Sequence, residues 1–247
     1  MHMSKPNPRW ATMAMGAVGE AAEAGAIAVL PVGATEQHGP HLATGTDTLL
    51  AEQVSVAAAA RTGDIVLPAL AYGCSLGHTA RWPGTLSLHP RTMTAVVVEI
   101  GRWAHASGFR KLVIVNGHAT NGPPCQSALL ELRHELPDLR PRFVSLFDLT
   151  PEIAARYTED APDFHANEAE TSMVMHLDPD SVDHAAAVDE PDRTLGRVLS
   201  YPMPAVTSSG VVGAPSGASA GRGAELFAEL VEALATLLLT ARAERDP

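Results

Sequence analysis

Short apolar runs recur along the chain at 26–33 (AIAVLPVG), 64–72 (DIVLPALAY), 111–117 (KLVIVNG) and 142–149 (RFVSLFDL). Each is strand-length and rich in aliphatic side chains, so each predicts a β-strand. The stretches between them, 47–61, 91–106 and 123–136, have the length and the residue types of helices. The last of these opens on Pro123 and Pro124, where a missing N–H removes no intrahelical bond, and stops before Pro137. Strands that are apolar on both faces and separated by helices predict a mostly parallel sheet covered on both sides. Residues 150–220 are less regular and rich in Pro, Gly, Ser and Asp, and 223–247 closes the chain as an amphipathic helix. Without an internal repeat or a linker, the chain reads as one domain spanning 1–247.

In open α/β sheets ligands gather beyond the carboxyl ends of the strands. AIAVLPVG and KLVIVNG both run into polar loops, TEQHG and HATNG, which predicts Glu36, His38 and His118 along one rim.

Composition narrows the chemistry. At 247 residues and 46% hydrophobic content the chain buries a sizeable core, and with aromatics at 4% that core is built from small aliphatic side chains. A net charge of −11 with no basic run argues against nucleic acid, whose binding depends on Lys and Arg neutralising phosphates. Apolar stretches too short to span a bilayer and a start without a signal-peptide core predict a cytoplasmic protein with no membrane partner. Cys74 and Cys125 form no CxxC pair, so any metal is held by nitrogen and oxygen.

Five residues are candidates for that role. Glu36 and His38 are two apart, so an extended backbone sends both side chains to one side. Asp47, taken alone, is an N-cap of the helix that follows, and His118 alone is a loop histidine bonded to a carbonyl. Glu170 is the most telling, because it shares a helical spacing with Met173, Val174 and Leu177 and so lies on an apolar face. A carboxylate there must be protonated, paired with a cation such as an Arg, or bound to metal. Together the five suit Zn, Mn or Fe better than Mg or Ca. Three carboxylates and two neutral imidazoles are balanced by two divalent ions and one hydroxide, whereas one ion leaves the cluster anionic. Two ions about 3.5–4 Å apart and bridged by Asp47 hold a water, lower its pKa and polarise a carbonyl.

The blocks PVGATEQHGPHL with TDT, GHTARWPGTLSL, VNGHATNG and HANEAETSMVMHL, in that order, resemble the creatininase family of metal-dependent amidohydrolases. The resemblance implies a three-layer α/β/α fold with a dinuclear site, and a homo-oligomer, often a hexamer. It implies that Glu36 and His118 serve one ion, His38 and Glu170 the other, and Asp47 both. It matches His165 to a histidine that shuttles a proton, an imidazole being able to supply one to a departing nitrogen. The bland alternative for His165 is a histidine that only orients a ligand. His41 and His78 are candidates for contacting substrate, against a structural role for each, since the sequence offers them no partner. Asn116 and Asn121 are read as fixing the turn around His118.

Two departures narrow the match. Thr120 stands where creatininase proper has a glutamate ligand, so the ligand comes from Glu170, as in the deformylase and mycofactocin-peptidase branches. Trp10, Trp82 and Trp103 lie outside the blocks where that enzyme's substrate-covering tryptophans occur. The expected activity is hydrolysis of a C–N bond in a small linear or cyclic amide, such as a lactam or formamide, by a metal-bridging hydroxide. The alternatives are a non-catalytic ligand- or metal-binding protein on the same fold, and a dinuclear-metal peptidase or phosphoesterase.

Overall fold

The computed structural model describes residues 7–79 and 81–245. Its centre is a four-stranded sheet in the order β2-β1-β3-β4, with every neighbouring pair parallel. The strands are β1 (Ala28–Val32), β2 (Ile65–Val66), β3 (Lys111–Asn116) and β4 (Arg140–Ser145). Around them run α1 (Met15–Glu23), α2 (Thr46–Thr62), α3 (Pro90–Ala106), α4 (Gly122–Glu135), α5 (Pro151–Tyr157), α6 (Glu168–Leu177), α7 (Met203–Val206) and α8 (Ala220–Ala243).

Alternation along the strands divides the core in two. Val29, Val113, Val115 and Val144 point to one face, where they pack with Leu50 and Val54 of α2, Met173 of α6 and Leu230 and Leu234 of α8. Ala28, Leu30, Val32, Leu112 and Ile114 point to the other, towards Val18 of α1, Met93 and Val97 of α3 and Cys125 and Leu132 of α4. Strands apolar on both faces therefore produce a three-layer α/β/α fold with a parallel sheet, as the sequence pattern predicts. No helix among the described residues is long and apolar enough to cross a membrane.

Two strands differ from expectation. The run 64–72 pairs regularly only at Ile65–Val66, with one further bridge from Leu70 to Val32. Pro68 lies between these contacts and has no N–H to give to a ladder, which divides the run. The run 142–149 begins earlier, at Arg140, and ends in a 3-10 turn over Leu146–Asp148. Helix boundaries lie close to those read from the pattern, and α8 starts where the Ser219 hydroxyl accepts from Arg222 N–H.

The layer formed by α2, α6 and α8 holds the site's helical residues, so its packing is the fold's contribution to function. Met173 is fully buried there, one turn along α6 from Glu170. Met173→Ala should cost about 2–5 kcal/mol of stability. Urea unfolding should show a lowered midpoint with the slope of the transition unchanged.

Candidate metal centre

Register places the centre before any side chain is considered. Val32 lies opposite Asn116 at the carboxyl ends of β1 and β3, so the loops that follow are neighbours. Glu36 and His38 come from the first loop and His118 from the second. Asp47 lies in the first turn of α2, whose N-cap, Gly45, makes no side-chain cap bond. Gly117 lets these parts meet, because a Cβ there would lie 2.4 Å from the main-chain oxygen of Asp47. Asp47 is therefore inside the helix rather than capping it, and its carboxylate points to the centre.

Glu170 arrives from the other side. It sits in the first turn of α6, where Asn167 caps the helix by accepting from Glu170 N–H at 3.2 Å. Just before the cap, Ala166 adopts φ 50°, a left-handed conformation uncommon outside glycine. This turns the Ala166 N–H onto Glu170 Oε2 at 2.7 Å and holds the carboxylate inward.

All five candidates are buried: Glu36 and His38 completely, Asp47 at 1%, Glu170 at 5% and His118 at 6% exposure. Two groups of potential ligand atoms share Asp47: Glu36, Asp47 and His118 form one, and His38, Asp47 and Glu170 the other. Asp47 Oδ1 is 3.1 Å from His38 Nε2, and its Oδ2 is 3.3 Å from His118 Nδ1. His118 Nδ1 is also 3.3 Å from Glu36 Oε1.

The far nitrogens of both rings are occupied. His38 Nδ1 donates to the Glu36 carbonyl at 3.1 Å, leaving Nε2 for the centre. His118 Nε2 faces the Cys74 carbonyl at 3.2 Å and Thr120 Oγ1 at 2.7 Å, leaving Nδ1 for the centre. The carbonyl-bonded loop histidine and the candidate ligand are thus the same residue, using different nitrogens. Thr120, notable in the sequence only for not being glutamate, orients His118 from behind. Asn116 and Asn121 hold the turn: His118 N–H donates to Asn116 Oδ1, Asn116 Nδ2 donates to the His118 carbonyl, and Asn121 Nδ2 donates to Asn116 Oδ1.

Electrostatics show what is missing from this arrangement. Both oxygens of Glu36 and Oδ2 of Asp47 are buried and accept no hydrogen bond. Burial works against charge on His38 and His118, yet the carboxylates outweigh it. Asp47 above all raises His38 to about 10, and Glu36 with Asp47 raises His118 to about 9. Glu36 is held well below the usual carboxylate range by His118 despite its burial. Burial, reinforced by Asp47 and Glu36, pushes Glu170 up to about 7 against the pull of His38. Mixed nitrogen and oxygen donors, orphaned carboxylate oxygens and a demand for positive charge all fit divalent transition-metal ions.

The other predicted residues lie at different depths around this cluster. His165 Nδ1 is 3.6 Å from Glu36 Oε1, and its ring stacks at a tilt on His38 with centroids 4.5 Å apart. His78 Nδ1 is 3.9 Å from Glu36 Oε1. His165 also forms a third metal-capable group with Glu36 and His38, whereas His41 turns away, its Nε2 bonded to Thr171 Oγ1 at 2.9 Å, and belongs to none of the three groups. Gln37, between two candidate ligands, was not singled out by the sequence, although its position inside TEQHG was available as a signal. A cavity of about 1210 Å³ opens between β4 and α8, but none of these residues lines it.

The sequence profile of the creatininase family, described as creatinine amidohydrolase, matches residues 11–238. The chain belongs to the creatininase family. It is 33% identical over 222 residues to the mycofactocin precursor peptide peptidase of Mycolicibacterium smegmatis, covering 85% of this chain and 83% of that protein. It is 34% identical over 192 residues to the creatinine amidohydrolase of Pseudomonas putida, covering 72% and 74%. A crystal structure of creatinine amidohydrolase superposes with a TM-score of 0.86 at 30% identity, over 97% of this chain and 99% of that one. Creatininase structures of the same likeness include a manganese form, with TM-score 0.86 and 29% identity, and a mutant of zinc–zinc type, with TM-score 0.85 and 28% identity. Each covers 97% of this chain and all of its own. These creatininase-family relatives are hydrolases, and the chain carries a cluster of metal-capable side chains on the same fold.

Protons and a bound metal ion would compete for this cluster. Below about 9 to 10 the two imidazoles hold protons, and below about 7 so does Glu170. Zinc affinity should therefore rise with pH across this range, with proton release on binding. Calorimetry in buffers of different ionisation enthalpy measures it, and an affinity independent of pH would contradict the assignment. Gly117→Ala should weaken zinc binding by displacing the first turn of α2, measurable by competition with a chelating dye.

Proposed function

We propose that the chain is a metal-dependent hydrolase that cleaves the C–N bond of a small linear or cyclic amide. The carrying observation is the pair of overlapping ligand groups hinged on Asp47, with three buried carboxylate oxygens lacking a hydrogen bond. Glu36, Asp47 and His118 would hold one ion, and His38, Asp47 and Glu170 the other. When bound, such a pair of ions supplies a water of lowered pKa and a Lewis acid for the carbonyl oxygen.

The chain's own residues account for the rest. Main-chain carbonyls and Thr120 occupy the far nitrogens of His38 and His118, so Nε2 of the one and Nδ1 of the other face the centre and would bind metal on losing their protons. The Ala166 N–H fixes Glu170 in one orientation, so little reorganisation is needed when charge develops. His165 is buried and lies within reach of the same centre as Glu36. Burial and the nearby His38 hold it well below the usual imidazole range, so it rests neutral and would take up a proton only transiently, from the attacking water. It can then pass that proton to the departing nitrogen, a transfer worth about 10²–10⁴-fold in rate.

A peptide bond as the scissile amide is a second reading. It is favoured by the 33% identity of this chain to a mycofactocin precursor peptide peptidase.

Metal analysis of the purified protein should find about two ions per chain. A panel of lactams, formamides, short peptides and phosphoesters, tested with zinc, manganese and iron, should show turnover among the amides alone. A folded protein that takes up no metal, or one that hydrolyses only phosphoesters, would sink the proposal. Asp47→Asn should lower kcat/KM on the order of 10³-fold or more, since it removes the shared ligand. His165→Asn should lower kcat by about 10²–10⁴-fold while metal content stays at the wild-type level.

A further inference from the structure

Gln37 makes more polar contacts around the centre than its place between two candidate ligands requires. It is 5% exposed. Its side-chain Oε1 accepts from Gly39 N–H at 2.9 Å, which settles which end of the amide is oxygen. Its Nε2 then faces three atoms: the Gly210 carbonyl at 3.2 Å, His78 Nδ1 at 3.2 Å and His165 Nε2 at 3.0 Å. The main-chain carbonyl of the same residue faces His165 Nε2 at 2.8 Å.

An amide nitrogen has two hydrogens, so it cannot donate to all three neighbours. The Gly210 carbonyl can only accept and takes one. The Gln37 carbonyl also can only accept, and at 2.8 Å its partner, His165 Nε2, must carry a hydrogen. His165 Nε2 is therefore no acceptor, and the second amide hydrogen goes to His78 Nδ1. The alternative, a bare His165 Nε2, would set its lone pair against the Gln37 carbonyl oxygen and leave that buried oxygen without its donor.

We infer that Gln37 is a positioning residue that sets the tautomers of two histidines, so that His165 presents a bare Nδ1 to the centre and His78 carries its hydrogen on Nε2. The consequence for His165 is directional. Its Nδ1 lies 3.6 Å from Glu36 Oε1 and can accept a proton before it gives one, while Nε2 stays tied to the backbone. This is the relation a general base needs with the group that orients it, with a main-chain carbonyl as the orienting group.

The amide is itself held from outside. Gly210 has φ 87°, and a Cβ there would lie 2.1 Å from Gln37 Oε1. The turn that carries Gly210 is tied down by Glu190, whose carboxylate accepts from the N–H groups of Ser208 and Ser209 and from the Thr207 hydroxyl. The same segment pairs with His165 through two main-chain bonds to Val212. One loop thus fixes both the Gln37 side chain and the backbone of His165.

The consequence for catalysis rests on the hydrolase reading, but the tautomers do not, and the test reads them directly. The zinc-loaded protein, labelled with ¹⁵N-histidine, is examined by long-range ¹H–¹⁵N correlation, with His165→Asn and His78→Asn variants assigning the two rings. Both rings should carry hydrogen on Nε2. Gln37→Glu should move the His78 hydrogen to Nδ1, where it donates to the new carboxylate, and leave His165 unchanged. Gln37→Met, which adds no charge, and Gly210→Ala, which displaces the amide, should both leave His78 with mixed tautomers. A wild-type His165 with hydrogen on Nδ1, or a His78 pattern indifferent to every change at Gln37, would overturn the inference. Either result would leave the hydrolase proposal standing, and an inactive protein with the expected tautomers would remove that proposal alone.

Discussion

Three carboxylates, those of Glu36, Asp47 and Glu170, are buried within reach of one another, and the interior offers them almost no hydrogen-bond donors. In a low-dielectric environment such a cluster is unfavourable unless positive charge enters it. Protons on His38 and His118 can supply that charge, and so can divalent ions. Any competition between them would link pH to metal uptake, and in either case both imidazoles lie between the carboxylates. The rest of the fold works to make this arrangement rigid rather than to relieve it.

Rigidity comes from where the ligands are mounted. Two come from the loop after β1, one from the loop after β3, and two from the first turns of α2 and α6. The loop after β3 is held by the amides of Asn116 and Asn121, and the first turn of α6 by its Asn167 cap. The close approach of Gly117 to α2 and the left-handed backbone at Ala166 bring these mounts together. Relatives named for different reactions, a peptide peptidase and a creatinine amidohydrolase among them, are similar to this chain over most of its length.

The histidines follow one rule. In His38, His118 and His165 the nitrogen facing away from the centre meets a main-chain carbonyl, that of Glu36, Cys74 and Gln37 respectively. Main-chain oxygens cannot change protonation, so they fix which ring nitrogen is free more firmly than a titrating side chain would. In all three rings the other nitrogen faces the carboxylate cluster, so the same device orients each of them.

Much of this was readable in one dimension, and the boundary of what was readable has a physical cause. Apolar periodicity determined the parallel sheet, its helices and the rim on which Glu36, His38 and His118 meet, because both faces of every strand had to be covered. The helical phase of Glu170 against Met173 and Val174 revealed a buried carboxylate, since a helix repeats faithfully enough to be read from spacing. Asp47 could not be told from an N-cap by sequence, because its orientation depends on Gly117 packing against α2 from another part of the chain. The bonds of Thr120 to the Cys74 carbonyl, of Gln37 to His165 and of His41 to Thr171 were likewise decided only by the tertiary structure. Each depends on partners far away in sequence, and periodicity carries information about local backbone and burial, not about which distant donor a side chain will meet.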